Sequence, residues 1–434
     1  MDDRRDRLSP RSPIPVELEA DMSRDVRMRG FSQRADVEEV ERFLAERAFA
    51  LAEESVSVSA CAGRVLARDV ISPVDVPGFA RSAMDGYAVR GEDTFGASTY
   101  APVDLGVVGE SLPARPFAGA VAAGQAVRIM TGAPLPEGAD AVVMAEVCEA
   151  LERIVRVQEP VAPRKHVGAI GEDIRAGERV LGSGRRLRPQ DAGLLASIGH
   201  ARVDCVRRPR VRLLVTGDEL LPAGSRPSGA RIVDSNSVVL AALVERDGGV
   251  LLPFEILPDD PERIRRELAR TDSDIVLVSG GSSVGQEDHA PRLVAELGTL
   301  DFHGIAMRPS SPTGVGRIGS RFVFLLPGNP VSCLCAYEFF AGPTLRARGG
   351  RSRAWPHRRV RLPLGRKLAS AVGRTDYVRV AIEAGRVIPL ATSGASILSS
   401  TVRAAGCVIV PRALEGMPEG AEVEVRLYDE EPSE

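Results

Sequence analysis

The sequence predicts a multidomain α/β protein: a central parallel α/β sheet domain, a β-rich inserted domain, a discontinuous linking domain and a C-terminal β-barrel-like domain. Three observations carry that prediction. The chain has 434 residues, too many for one ordinary hydrophobic core. Between residues 209 and 345, apolar runs such as RVRLLVTG, VLLPFEIL and DIVLVSGG alternate with helical patterns such as SNSVVLAALVERDG, DPERIRRELART and HAPRLVAELG. Strands alternating with helices are the pattern of a parallel sheet with crossover connections. On either side of that stretch the chain reads instead as short β-branched segments broken by Gly and Pro.

Taken in order, residues 1–34 mix Arg and Asp with Pro and Ser without a sustained apolar period, and are expected to form a mobile extension. DVEEVERFLAERA spaces its apolar residues helically, and Pro and Gly then interrupt the chain through ISPVDVPGFARSAMDG. Residues 35–87 and 166–208 are expected to form the discontinuous linking domain, because GAIGEDIRAGERVLGSGRRLRPQDAGLLASIG returns to loop, short strand and helix. The inserted β-rich domain is expected over 88–165, with segments such as APVDLGVVG, QAVRIMTG and ADAVVMAE. The α/β domain follows at 209–346. After the connector RARGGRSRAWPHRR, the Val-rich segments of 356–429 predict the last β domain.

Composition narrows the function classes. With 44% hydrophobic and 26% charged residues the chain is that of a soluble globular protein. A net charge of −3 gives no global field toward nucleic acid, so an anionic ligand must be held locally. Six cysteines without a CxxC pair point to a reducing cytoplasm. No apolar run approaches the roughly 20 residues that cross a bilayer, and the Arg-rich start lacks the apolar core of a signal peptide; no membrane association is expected. There is no HExxH, zinc spacing, GxSxG elbow, Walker A loop or dinucleotide fingerprint.

In an open parallel sheet, ligands bind beyond the carboxyl ends of the strands. That rule selects Thr216 and Glu219 in TGDEL, and the loop Ser279-Gly280-Gly281-Ser282-Ser283-Val284-Gly285 with Asp288 after it. Small residues let backbone N–H groups reach an anion, so this loop reads as a phosphate cradle or as a plain turn. Glu219, Asp259 of LPDDPE and Asp288 are candidate ligands for Mg²⁺, which favours oxygen donors and phosphate partners. The competing reading has Asp260 and Asp288 as helix caps without a metal. Pro327, Asn329 and Pro330 lie in a Pro-Gly-Asn-Pro turn that reads as a ligand loop or a rigid connector. Arg308 and the hydroxyls of Ser310 and Ser311 form a candidate oxyanion site, the alternative being a surface arginine.

The separated motifs PGFARSAMDGYAVR, RIMTGAPLPEGADAVV, GEDI, TGDEL, DSN, DDP, SGGSSVGQEDH, LPGNPVS and SGASILSS occur in one order. Over about residues 35–429 the chain resembles the molybdopterin molybdenumtransferase family of molybdenum cofactor biosynthesis, and is similar to the C-terminal domain of gephyrin. The resemblance implies transfer of molybdate to adenylylated molybdopterin with loss of AMP, in the presence of Mg²⁺. It implies an elongated homodimer with each active site at the subunit interface, and makes a molybdopterin adenylyltransferase and apo-molybdoenzymes candidate partners. By motif, Asp85 matches the catalytic aspartate, and Asp173, Glu219, Asp259 and Asp288 match further functional acids. Ser279, Gly280, Gly281, Ser283, Gly285, Pro327, Asn329 and Pro330 match the part that holds the pterin and its phosphates, and Ser396 the molybdate side of the pocket.

Two departures stand out. Ala80-Arg81 occupy the place of the family's frequent Asp-Asn, and Arg308-Pro309-Ser310-Ser311-Pro312 that of Lys-Pro-Gly-Lys-Pro. The second removes a positive charge from the expected anion pocket. Alternatives to the insertase are a non-catalytic cofactor carrier or scaffold, and a molybdopterin adenylyltransferase.

Overall fold

The computed structural model describes residues 34–281, 288–391 and 394–429. The expected N-terminal extension, apart from Arg34, and the candidates Ser283 and Gly285 lie outside the described residues. Two compact units hold the chain, one of residues 53–205 and one of residues up to 52 together with those from 206 onward.

In the 53–205 unit the strands run Ala141–Met144, Gly86–Val89, Gln125–Ile129, Val103–Ser111, Ile154–Val157 and Cys148–Ala150 across one six-stranded sheet. Both faces are covered: Tyr87, Val89 and Val143 enter one apolar cluster, while Ala88 and Val142 enter another. Successive residues of a strand point to opposite faces, so the unbroken apolar runs suit this double burial. Gly86 is required where it stands, since a Cβ there would lie 1.9 Å from the Val143 carbonyl oxygen. The rest of the unit pairs residues that precede this sheet with residues that follow it, 70–71 with 179–181 and 81–82 with 167–168. Val58, Leu66 and Val70 share their core with Ile174, Leu187 and Leu195.

The second unit begins with α1 (Val37–Ala45) and is built on β1 (Arg210–Thr216), α2 (Asn236–Arg246), β2 (Val250–Leu251), β3 (Ile256–Leu257), α3 (Pro261–Ala269), β4 (Ile275–Ser279), α4 (Ala290–Leu297), β5 (Thr299–His303), β6 (Gly314–Ile318), β7 (Arg321–Leu326) and α5 (Pro330–Ala336). The sheet order is β2-β1-β4-β7-β6-β5, with β3 also on β1. Pairing from β2 to β7 is parallel, and β6 and β5 add an antiparallel edge. VLLPFEIL forms two short strands rather than one, because Pro253 between them has no N–H to donate. Asp260 caps α3, its carboxylate accepting the Glu262 N–H at 2.9 Å.

In the same unit the C-terminal strands Thr375–Glu383, Gly406–Val410, Glu422–Leu427 and Arg359–Pro363 form a second sheet. Arg386–Ala391 pairs with the first of these strands, and a bridge from Val387 to Leu364 curls the sheet back toward its other edge. Met307–Arg308, arriving from the α/β sheet, pairs in parallel with Thr375–Asp376.

A buried ion network joins the two sheets' supports. Arg246 donates to Glu338 at 2.6 and 3.1 Å and to Asp247 at 2.9 Å, while His357 bridges Glu338 and the Leu427 carbonyl. Burial alone would push the Glu338 carboxyl up, but the hydrogen bonds from His357 and Arg246 outweigh it and bring it to about 2, from an ordinary 4.5. A depressed carboxyl stabilises the fold fully above its unfolded value, and that contribution is lost as pH falls from about 4.5 through about 2. Glu338→Gln should therefore cost about 3 kcal/mol at neutral pH by urea denaturation, a gap that narrows in acid; a gap that widens in acid would reverse this account.

Candidate functional site

The carboxyl ends of β1, β4 and β7 open onto a cavity of roughly 670 Å³. Thr216 and Glu219 line it from the first strand end, Asp259 from the loop before α3, and Ser279, Gly280, Gly281 and Asp288 from the loop after β4. Pro327, Asn329 and Pro330 contribute the wall after β7, and Ser396 reaches it from the C-terminal segment. The strand-end rule thus gathers these candidates in one place.

Close backbone approach shapes this wall. Gly280 has φ +92, and a Cβ there would lie 2.4 Å from the Thr216 carbonyl oxygen, so only glycine fits. The Thr216 hydroxyl is buried and has no hydrogen-bond partner among the described residues, which leaves it for a ligand. Ser396 Oγ donates to Asn329 Oδ1 at 2.7 Å, and the Val331 N–H donates to the Ala395 carbonyl at 2.9 Å, fastening the C-terminal segment to the Pro-Gly-Asn-Pro turn.

No Lys or Arg is among the described residues lining the cavity, while Glu219, Asp234, Asp259 and Asp288 are. Among the described residues no three acids, histidines or cysteines are gathered as a complete metal cage. Mg²⁺ is commonly held by one or two carboxylates plus substrate phosphates, and this donor set fits that mode rather than an all-protein site. The Asp259 carboxylate also accepts the Asp218 N–H at 3.3 Å. His289, rather than Asp288, stands at the cap of α4, and its side chain makes no cap bond.

Arg308 and Ser311 line a smaller cavity of about 270 Å³ that shares Pro312, Pro327 and Asn329 with the first. The Arg308 guanidinium is directed at Asp376, which also receives Ser370 Oγ at 2.9 Å and Arg374 Nε at 3.0 Å. Ser311 Oγ is buried without a partner among the described residues.

Asp85 and Asp173 belong to the 53–205 unit. Asp85 is exposed, and its Oδ1 accepts both the backbone N–H and the hydroxyl of Thr131 at 2.7 Å. Those two bonds, the backbone one first, hold its carboxyl below the ordinary carboxylate range. Asp173 is also exposed, its N–H donating to the Val76 carbonyl. Arg81 pairs with Glu172 of the GEDI motif at 3.0 Å. Thr131, Asp234 and Asn236 were not among the sequence candidates, although each lies in or beside a quoted motif.

Residues 35–199 match the MoeA N-terminal region (domain I and II), 212–347 a probable molybdopterin binding domain and 361–428 the MoeA C-terminal region (domain IV). Molybdopterin molybdenumtransferase 2 of Mycobacterium tuberculosis is 35% identical over 90% of this chain and 98% of its own. The chain belongs to the MoeA family. Its role lies in molybdenum cofactor biosynthesis. A putative molybdopterin biosynthesis protein of Methanocaldococcus jannaschii is 34% identical over 86% of this chain and 92% of that one. Two crystal structures of the MoeA protein of Pyrococcus horikoshii superpose with TM-scores of 0.78 and 0.73 at 33% and 32% identity, covering 92% and 91% of this chain and 100% of each of theirs.

Ser310 is buried at φ +91, a region costly for an L side chain. Its hydroxyl offsets part of that cost, donating to the Ser332 carbonyl at 2.7 Å and lying 3.0 Å from Thr313 Oγ1. Ser310→Ala loses these bonds and keeps the strain, so it should destabilise by about 1–2 kcal/mol in urea denaturation. Ser310→Gly loses bonds and strain together and should cost less; equal costs would remove strain from the account.

Proposed function

We propose that this MoeA-family chain is a molybdenum insertase, transferring molybdate to adenylylated molybdopterin with release of AMP to give molybdenum cofactor. The observation that carries this reading is the acid-lined, glycine-walled cavity at the strand ends, without a described Lys or Arg. A phosphorylated ligand entering such a cavity needs a divalent cation between its oxygens and the carboxylates. Glu219, Asp259 and Asp288 are the residues that would hold Mg²⁺, which supplies neutralisation of charge on the phosphates. Thr216 Oγ1 is the hydroxyl free to donate to a ligand oxygen, and the glycines at 280 and 281 admit phosphate against the backbone.

Asp85 is the proposed catalytic carboxylate. Thr131 fixes one oxygen and keeps the group ionised, leaving Oδ2 to orient a water and take its proton as the water oxygen bonds to phosphorus, the phosphoanhydride P–O bond breaks and AMP leaves. The active form is proposed to be a cytoplasmic homodimer in which Asp85 of one chain serves the cavity of the other. Exposed Phe79, Met84 and Ile170, which share the 53–205 unit with Asp85, support a covered surface there.

With Mg²⁺, molybdate and adenylylated molybdopterin, the purified protein should release AMP and yield active cofactor. Asp85→Ala should lower the release rate about a hundredfold or more, far beyond the small loss of stability expected from its two bonds to Thr131; a carrier would keep its function in that variant. Sedimentation at micromolar concentration should give dimers, and monomers alone would end the shared-site reading.

A further inference from the structure

Asn236 opens α2 and is 8% exposed, on the wall of the large cavity. Its Nδ2 donates to Ser279 Oγ at 3.0 Å and to the Gly328 carbonyl at 2.8 Å. An amide NH₂ carries two hydrogens, so both are spent. The two acceptors sit on different loops, one ending β4 and the other following β7. Those loops nearly touch: a Cβ on Gly328 would stand 3.8 Å from the Gly280 Cα.

Ser279 is 2% exposed, and its hydroxyl accepts the Asn236 amide at 3.0 Å. That bond ties the end of β4 to the start of α2. Asp234 accepts the Ser237 N–H at 3.1 Å and fixes the first turn of α2, from which Asn236 projects. The chain of contacts therefore runs from α2 through Asn236 to both ligand loops.

We propose that Asn236 is a positioning residue of the insertase site, setting the separation of the β4 loop and the Pro-Gly-Asn-Pro turn through its two amide hydrogens. The kinetic part rests on the insertase reading. The positioning part stands on the hydrogen bonds alone. An aspartate at 236 keeps the shape but has no hydrogen for the Gly328 carbonyl, and it adds negative charge to an acidic cavity. An alanine breaks both bonds without adding charge, which separates lost positioning from added repulsion.

The test uses full-length wild type, Asn236→Ala and Asn236→Asp. Amide exchange at residues 280–281 and 328–329 should rise about tenfold in both variants, the scale of one lost buried hydrogen bond. The kcat of AMP release at saturating substrate should fall about tenfold or more in both, beyond anything their melting temperatures account for. Molybdopterin, followed by pterin fluorescence, should bind more weakly to both. Unchanged exchange at both loops, or wild-type kcat and pterin binding in the alanine variant, overturns the proposal. Should the wild type release no AMP, the insertase reading fails by itself, and the exchange and pterin arms still decide the role of Asn236.

Discussion

The close approach of Gly280 to the Thr216 carbonyl is the constraint on which the cavity depends. Two parallel strands end side by side, and the chain leaving β4 must turn past the end of β1 with no room for a side chain. Glycine at φ +92 meets that requirement and leaves bare backbone facing the opening. The turn after β7 closes against the same point, with Asn236 bonded to both loops. The pocket is thus a consequence of strand geometry, with Gly280 and Asn236 fixing where the two loops leave the sheet.

Charge is distributed with equal consequence. Acids line the large cavity, whereas the cation expected beside it, Arg308, is drawn to Asp376 of the C-terminal sheet. Asp376 is fully buried and already takes Ser370 and Arg374, so releasing Arg308 would weaken compensation of a buried charge. Arg308 therefore works as a link between the two sheets of its unit, and with serines at 310 and 311 the small cavity is lined by hydroxyls. Arg81 follows a similar logic in the other unit, where Glu172 pairs with it.

The fold class was legible because strand and helix periods alternate visibly through the α/β region and vanish outside it. The antiparallel edge of β5 and β6 was not, since TLDFH and GVGRI carry no signal of strand direction. Glu219, Asp259 and Asp288 could be drawn from the sequence because the strand-end rule acts on local pattern. Asn236 and Thr131 could not, although DSN and RIMTG were in view, because their roles consist of hydrogen bonds to residues distant in sequence: 43 and 92 positions away for Asn236, 46 for Thr131. Arg308 shows the reverse: its residue type suggested an anion, and only its pairing with Asp376 gives the guanidinium a structural task.

Some of the unsatisfied and strained groups of this unit lie beside the two cavities. The Thr216 and Ser311 hydroxyls are buried without a partner among the described residues, and Ser310 holds an unfavourable φ between them and the C-terminal sheet. Elsewhere such groups would be a cost to folding with no return. Here a ligand that supplied the missing acceptors would stabilise the native state in proportion to occupancy. Four carboxylates line the same opening, which gives a cation entering it favourable charge on several sides. Binding and local stability at this opening are therefore two readings of the same set of contacts.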